Sequence, residues 1–554
     1  MNRNFKVVFS KARGALMVVN EATSSVQAKG TKTVIAAAVA ALSLGAGVAS
    51  AAEYVSAEIG SGASLTVNAD GNTPSGVVGT KSDDTTGTLT KDDTVTGAYT
   101  LSGGELIING TTFAGTIAAD ADAKKANGTI TLNATNKDAI GTSVTYTGLD
   151  GTYSTLNLNL NVFNAAATGG TPGSVTIGDD NKNLTLKAGT LTTGTIASSV
   201  SGSTNKATAE IKGNTLAFGV PADTVGTNKE PSATNPGSAY DFDNAADVRL
   251  DVTAAETVKF NKGTITNAGT MTVSGTNGVT VEKEVSIANT GDLTFTDTEA
   301  VNFNADYTAT AGRLFIESKA NTISGNITAD SLKFGTRITD SDTAKETNQV
   351  VITATNSGKN TIAYGSTVDV KALTVEDAAT TVNGTLKAAT TAVTDATTAG
   401  LTVADTIKTV DLNKITQYAA VSLGDITVGS AASGATGGTI FTLTNNSTEN
   451  AVEASSLTVV KNSTANTFTL ANGDFSVGKL TNQGNVTLTG GEFSLTGEGS
   501  NASGAVITLA SSKDDASLFV AEGASLQNQG SITATDGEGK IFVGGTLTNA
   551  PAVT

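Results

Sequence analysis

The sequence contains no cysteine, no histidine and no tryptophan among its 554 residues. Without imidazole, a Ser-His-Asp triad, a histidine general base and histidine metal ligands are all excluded. Without thiols, a disulfide, a cysteine nucleophile, a thiolate zinc site and an iron–sulfur cluster are excluded as well. Catalysis by carboxylates with lysine or arginine is not excluded by these absences. We nevertheless expect a protein that is not an enzyme and that holds neither a cofactor nor a metal ion.

Proline and charged residues are also scarce. The chain has 6 prolines, and its charged share of 15% lies below the ordinary value of ~25%. The net charge of −17 argues against nucleic acid as a partner. Because the apolar share is 38% and glycine numbers 61, the composition is that of a folded chain rather than a disordered one.

A short apolar run marks the N-terminal region as a targeting segment. Residues 33–52 read TVIAAAVAALSLGAGVASAA, with Lys29 shortly before them. The apolar core is roughly half as long as a bilayer-spanning helix requires. Ala49 and Ala51 supply the small-residue cleavage pattern, with cleavage expected after Ala51. We interpret residues 29–51 as a secretory signal peptide rather than as a transmembrane anchor or a buried helix.

The segment before the signal peptide is basic and partly apolar, and we predict that it is helical from about Phe5 to Asn20. Its distinctive residues are Asn2, Arg3, Phe5, Lys6, Phe9, Arg13 and Glu21. Through these residues, residues 1–28 resemble the extended signal peptide region of Gram-negative type V secretion proteins. In that family, Phe9 is more often tryptophan and Asn20 is more often serine.

The resemblance implies the route that the protein takes. Proteins of this family use the inner-membrane export machinery and then cross the outer membrane through a β-barrel translocator. We expect this chain to be exported and to reside at the outer-membrane surface or outside the cell. The translocator barrel is not recognised in the sequence up to Thr554. We favour an autotransporter whose barrel lies outside this chain over a two-partner-secretion exoprotein of the haemagglutinin type.

Short alternating segments dominate the rest of the chain. Residues 156–162 read LNLNLNV, and residues 248–252 read VRLDV. Alternation with a period of two is typical of a half-buried β-strand. Glycine, asparagine and aspartate separate the segments at turn positions. The sequence therefore predicts an all-β body.

One eight-residue pattern, apolar-x-Asn-x-Gly-x-apolar-Thr, recurs along the body. Its asparagines and glycines are Asn267 and Gly269, Asn289 and Gly291, Asn482 and Gly484, Asn528 and Gly530, and Asn549, where proline replaces the glycine. The spacing is 22 residues for the first pair, two steps of 23 for the third and fourth, and 21 for the last. A repeat of this length favours a solenoid over hairpins in a sandwich.

The repeat predicts a right-handed parallel β-helix with coils of about 22 residues. Adjacent coils of such a fold lie ~4.8 Å apart, and their apolar side chains form one continuous core. We expect glycine to supply a positive φ at the turn and the asparagines to form a hydrogen-bonded ladder. We assign residues 52–245 to an irregular N-terminal part of the passenger and residues 246–554 to its regular repeats.

The resemblance and the repeat together indicate an adhesin or a self-associating rod. Such a rod would bind a host surface, a neighbouring cell or a second copy through its polar faces. A β-helical polysaccharide-degrading enzyme is the alternative, with acidic candidates at Asp179-Asp180 and at Lys513-Asp514-Asp515. We prefer to interpret these carboxylates as solvated turns.

Two further groups of residues allow a binding interpretation. Asp340-Ser341-Asp342 and residues 536–539 could supply oxygen ligands for calcium, although neither matches a known calcium loop. Four phenylalanines could form a sugar-stacking stripe, but we favour packing inside the coil for all of them. They are Phe260, Phe295, Phe303 and Phe334.

Overall fold

The computed structural model describes isolated strands between residues 5 and 160 and, with short gaps, residues 174–550. Every regular element in these residues is a β-strand. No helix in the described part of the chain is long and apolar enough to cross a bilayer.

The strands before residue 194 are β1 (Phe5–Ser10), β2 (Ala15–Asn20), β3 (Ala57–Gly60), β4 (Ser64–Asn68), β5 (Thr94–Val95), β6 (Ala98–Ser102), β7 (Glu105–Asn109), β8 (Thr112–Phe113), β9 (Thr116–Ala119), β10 (Thr129–Ala134), β11 (Val144–Tyr146), β12 (Leu149–Tyr153), β13 (Thr155–Leu160), β14 (Ser174–Gly178), β15 (Asn183–Leu186) and β16 (Gly189–Thr193). The next group is β17 (Ala207–Phe218), β18 (Thr224–Val225), β19 (Glu230–Pro231), β20 (Tyr240–Asn244), β21 (Val248–Asn267), β22 (Thr270–Gly275), β23 (Gly278–Asn289), β24 (Asp292–Asp297), β25 (Ala300–Phe303), β26 (Tyr307–Thr308), β27 (Arg313–Ile323) and β28 (Ile327–Phe334).

The strands after residue 348 are β29 (Gln349–Ile362), β30 (Thr367–Val375), β31 (Thr380–Val382), β32 (Thr385–Val393), β33 (Ala399–Val403), β34 (Lys408–Val410), β35 (Ile415–Gln417), β36 (Ala420–Ser422), β37 (Asp425–Val428), β38 (Ile440–Asn445), β39 (Val452–Val459) and β40 (Thr467–Asn472). The chain continues with β41 (Phe475–Asn482), β42 (Asn485–Leu488), β43 (Glu492–Asn501), β44 (Val506–Leu509), β45 (Ser517–Val520), β46 (Ser525–Asn528), β47 (Ser531–Ala534), β48 (Lys540–Val543) and β49 (Thr546–Asn549).

The leader forms strands where we predicted a helix, so that prediction is wrong. β1 and β2 pair antiparallel in register from Phe5 opposite Asn20 to Ser10 opposite Ala15. β1 contains two valines and two phenylalanines, and β2 contains two valines. Such β-branched and aromatic residues favour a pleated strand over a helix. The basic and apolar content that suggested an amphipathic helix fits a hairpin equally well.

The body winds as a parallel solenoid with three faces. In one coil, residues 270–275 lie on face 1, residues 278–281 on face 2 and residues 284–289 on face 3. Residues 270–275 and 278–281 pair in parallel with their counterparts in both neighbouring coils, for example Met271 with Leu250 on one side and Leu293 on the other, and residues 284–289 pair in parallel with residues 262–267. The all-β fold with stacked parallel strands agrees with the predicted β-helix, and the right-handed sense of the coil stays a prediction.

Inward side chains form a continuous column along face 1. On face 1 a single register column runs from Leu250 to Leu547. Most of its members are buried aliphatic residues, and the exceptions include Thr391 and Gly499. Since one coil cannot cover its own apolar side, each layer is stabilised by the layers above and below it.

The length of a coil varies, whereas the sequence suggested a constant step of about 22 residues. Bonded asparagines are 22 residues apart at Asn267 and Asn289, but 19 apart at Asn482 and Asn501 and 27 apart at Asn501 and Asn528. The predicted two steps of 23 are therefore unequal. Turns on the outside of a solenoid can lengthen without disturbing the inward columns, so a uniform step is not required.

Candidate functional site

The first predicted repeat asparagines lie in one buried ladder at the corner between faces 3 and 1. The Nδ2 of Asn244 donates to Oδ1 of Asn267, and the Nδ2 of Asn267 donates to Oδ1 of Asn289, both at 2.8 Å. The amide of Asn267 also donates to the carbonyl oxygen of Asp292 in the next coil at 3.1 Å. The ladder therefore joins consecutive coils from inside the corner.

The remaining repeat asparagines lie in a second ladder at another corner, between faces 1 and 2. Asn482 donates to Asn501, Asn501 to Asn528 and Asn528 to Asn549, at 2.8, 2.7 and 2.9 Å. The sequence pattern missed Asn501, because glycine occupies its apolar position and serine replaces the following glycine. The 46-residue gap between Asn482 and Asn528 was the signal that a member was missing.

The repeat glycines are required by close backbone approach, and the prediction of a positive φ is wrong for them. Gly269, Gly291, Gly484 and Gly530 are absent from the positive-φ residues of the described chain. A Cβ on Gly291 would instead collide with the carbonyl oxygen of Gly269, one coil below. These glycines let successive turns stack at the separation of the strands.

The candidate catalytic and calcium-binding residues do not form a site in the described chain. Asp179 accepts a hydrogen bond from the backbone N–H of Asn181 at 2.9 Å, and the adjacent Asp180 is exposed in the same turn. Residues 340–342, 513–515 and 536–538 lie outside the described residues. No cluster of three metal-ligating side chains occurs among the residues that are described.

The four phenylalanines of the candidate sugar-stacking stripe are buried in the core, as we favoured. Phe295 packs against Phe260 and Phe303, with ring centroids 6.2 and 5.8 Å apart. Phe334 is fully buried as well. A ring with no exposed surface cannot stack on a carbohydrate, so this group stabilises the fold.

Face 2 carries in-register columns of threonine on its outer side. The first column contains Thr322, Thr361, Thr381, Thr402 and Thr444. The second contains Thr442, Thr469, Thr487, Thr508 and Thr533. Because each column advances by one strand per coil, its hydroxyl groups repeat every ~4.8 Å. The result is a long uncharged surface with regularly placed donors and acceptors.

Face 1 has one patch in which outward side chains are buried as deeply as the core. Phe315, Val351 and Lys333 occupy consecutive places in one outward column and are 1%, 1% and 9% exposed. The guanidinium of Arg337 lies over the Phe315 ring, 3.8 Å from its centroid. Cation–π contact of this kind shields the ring from water.

Ion pairs bridge coils around this patch. Arg313 contacts both carboxylate oxygens of Asp292 at 2.8 and 2.6 Å, a bidentate pair in register across two strands. Lys333 pairs with Glu376 at 2.9 Å. Burial raises the pKa of the Glu317 carboxyl, and the charge of Arg337 partly opposes that rise. The cations are neutralised by partners in the structure, so the patch is organised for packing rather than as a free anion site.

The comparisons with known proteins concern the leader. Residues 1–50 match the family model described as the Extended Signal Peptide of Type V secretion system. The chain carries an extended signal peptide of type V secretion. This confirms the resemblance found in the leader and indicates that the protein is exported from the cytoplasm. No curated protein and no solved structure matches the chain.

The structure places only part of the predicted leader motif. Phe5, Lys6 and Phe9 lie on β1. The other leader and cleavage residues lie outside the described residues, namely Asn2, Arg3, Arg13, Glu21, Ala49 and Ala51.

Proposed function

We propose that the chain is the exported passenger of an autotransporter-type system and acts as a non-enzymatic adhesive rod. It is displayed at the outer-membrane surface or released from it, after passage through the inner-membrane export machinery and an outer-membrane barrel. The family match of the leader supports export by the type V route. The long parallel solenoid supports a rod-shaped passenger.

The threonine-lined face 2 is the observation that carries the adhesive role. A regular array of hydroxyl groups offers many weak hydrogen bonds to one extended partner. Many weak contacts on one rigid scaffold gain avidity without any deep pocket. A copy of the same rod and a cell surface rich in hydroxyl groups both fit this face, and self-association needs no further component.

Cell aggregation on surface display tests this proposal. The mature chain is fused to a heterologous translocator barrel and compared with a variant in which Thr469 and Thr487 on face 2 are replaced by glutamate. The matched control replaces Thr458 and Thr481, which are half-buried outward residues of face 1 in the same coils. Like charges on the binding face repel a second copy, so we expect aggregation to be lost in the face 2 variant and kept in the control.

Mixing labelled displaying cells with unlabelled cells that do not display the chain separates the two partners. Self-association clusters only the displaying cells, whereas adhesion to other surfaces recruits both populations. The absence of any clustering and adhesion by the unmodified chain contradicts the adhesive role. Equal loss of aggregation in the face 2 variant and in the control contradicts the assignment of the adhesive role to face 2.

A further inference from the structure

Face 1 departs from sequence order at one place in the described solenoid. Residues 349–353 pair on one side with residues 313–317 and on the other side with residues 331–334. Residues 331–334 pair in turn with residues 372–375. We name each of these strands by its first residue. In space they follow the order Arg313, Gln349, Ser331, Ala372. Simple winding would give Arg313, Ser331, Gln349, Ala372.

The order follows from how β28 and β30 turn the corner between faces 3 and 1. β28 stacks on β30 along its whole length with a constant offset, from Ile327 beside Val368 to Phe334 beside Val375. At the corner only Asp330 and Lys371 separate the two arms, and they form an ion pair at 2.7 Å. The Ser331 strand is therefore held against the Ala372 strand.

β29 stacks on β27 in the same way across faces 1 and 2. Residues 349–354 lie beside residues 313–318, and residues 359–362 lie beside residues 320–323. Three extra residues are accommodated at this corner, where Asn356 and Ser357 adopt positive φ values of 52° and 57°. Because β29 must lie directly on β27, its face 1 segment enters between the Arg313 and Ser331 strands.

The interleaved strands pack as tightly as the regular coils. The inward column through them consists of Leu314, Val350, Leu332 and Leu373, each at most 1% exposed. The same four side chains would also form an apolar column in simple winding order. The two orders therefore differ in strand connection and not in the chemistry of the core.

We propose that this segment is a latch that stops unwinding from passing along the solenoid. In simple winding, each coil that unwinds leaves the next one as a free edge that can peel away. Here, unwinding from the C-terminal side reaches the Gln349 strand while the Ser331 strand still covers it. Unwinding from the N-terminal side reaches the Ser331 strand while it is held between the Gln349 and Ala372 strands. In both directions a strand must leave from between two neighbours.

The same topology requires a strand exchange when folding winds on from either end of the solenoid. If winding starts from the N-terminal side, the Ser331 strand first meets the Arg313 strand, and the Gln349 strand must then enter between them. If winding starts from the C-terminal side, the Gln349 strand first meets the Ala372 strand, and the Ser331 strand must enter. Either direction passes through a pairing of simple winding that is absent from the folded protein.

Cysteine pairs at the four register positions distinguish the two orders. The chain contains no cysteine, so each introduced pair reports alone. R313C/Q349C and S331C/A372C are neighbours in the folded structure. R313C/S331C and Q349C/A372C are neighbours only in simple winding order. Neighbours ~4.8 Å apart are within disulfide reach, whereas positions two strands apart, at ~9.6 Å, are not.

The full mature chain is refolded from denaturant and given short oxidising pulses at successive times. T469C/T487C, at neighbouring positions in sequentially wound coils, serves as the control. We expect at least one simple-order pair to cross-link above its level in denaturant and then to lose that reactivity. Both interleaved pairs should appear after a lag relative to the control and persist in the folded protein.

One result overturns the strand exchange, and a second overturns the latch itself. The first is that neither simple-order pair cross-links above its denatured level at any time and the interleaved pairs appear without a lag. The second is that the folded protein cross-links the simple-order pairs instead of the interleaved pairs. S331C/A372C replaces two small residues and keeps the Arg313–Asp292 ion pair, so it reports even if the Arg313 variants fold poorly.

Discussion

The second asparagine ladder allows one residue type to be tested at two depths in the same structure. Asn501 is fully buried, accepts from Asn482 at 2.8 Å, and donates to Asn528 at 2.7 Å and to the carbonyl oxygen of Ser531 at 3.1 Å. Asn549 is exposed and accepts one ladder bond, from Asn528 at 2.9 Å. Replacing each by alanine changes the same chemical group in two environments.

The expected costs follow from the bonds that each substitution removes. Asn501→Ala deletes three hydrogen bonds at about 1 kcal/mol each and leaves a buried N–H of Asn482 without its partner, for a total of about 3–4 kcal/mol. Asn549→Ala deletes one solvent-exposed bond and costs about 0.5 kcal/mol. The ratio between the two costs in unfolding free energy is the informative quantity, because both asparagines belong to the same ladder.

Hydrogen exchange of the backbone amides in β43 and β46 measures the cost locally. This assay suits a solenoid because stability in a repeat array is distributed over coils and global unfolding need not be two-state. A loss of about 3–4 kcal/mol corresponds to a fall in protection of roughly 100- to 1,000-fold for Asn501→Ala. A fall in protection of less than about tenfold in Asn501→Ala would refute the role assigned to the buried ladder, and so would equal falls in protection in both variants.

Two further predictions concern buried ionisable groups. The Tyr240 hydroxyl has no hydrogen-bond partner among the described residues, so Tyr240→Phe should stabilise the protein by about 1 kcal/mol. Burial raises the pKa of Tyr240, so the unmodified protein should lose stability as pH rises above about 10, where the tyrosine of the unfolded chain ionises. The Tyr240→Phe variant should lack this contribution to the loss, and thermal melts in alkali measure the difference. Burial also raises the pKa of Glu317, so its folded form holds a proton more tightly than its unfolded form. Stability measured by urea titration should therefore fall as pH rises through the ordinary range of glutamate pKa values. The Glu317→Gln substitution should flatten this dependence of stability on pH. An unchanged dependence in the variant would contradict the prediction.

The sequence predicted the parts of the fold that depend on local pattern. Alternating segments predicted strands, and the repeat predicted stacked parallel coils with Asn267 beside Asn289. The copies at Asn482 and Asn528 occupy a different corner from Asn267. The pattern apolar-x-Asn-x-Gly therefore occurs at two of the three corners of the solenoid, between faces 3 and 1 and between faces 1 and 2.

The features that the sequence did not predict depend on contacts between distant segments. Asn501 joins the ladder because its neighbours in space are asparagines, although its own flanking residues depart from the pattern. The position of the Gln349 strand between two other strands follows from the stacking of β28 on β30, and it cannot be predicted from the sequence of any one strand. The leader was predicted as a helix because a basic and apolar segment can form either a helix or a strand.

The parallel stacking of coils is tested most directly by the distance between two spin labels on face 2. Thr280 and Thr444 lie in one register column, separated by six strand spacings. Double electron–electron resonance between labelled cysteines at these positions should give a single narrow population of distances at about 29 Å. A broad distribution, or a main distance beyond about 40 Å, would contradict the stacked solenoid.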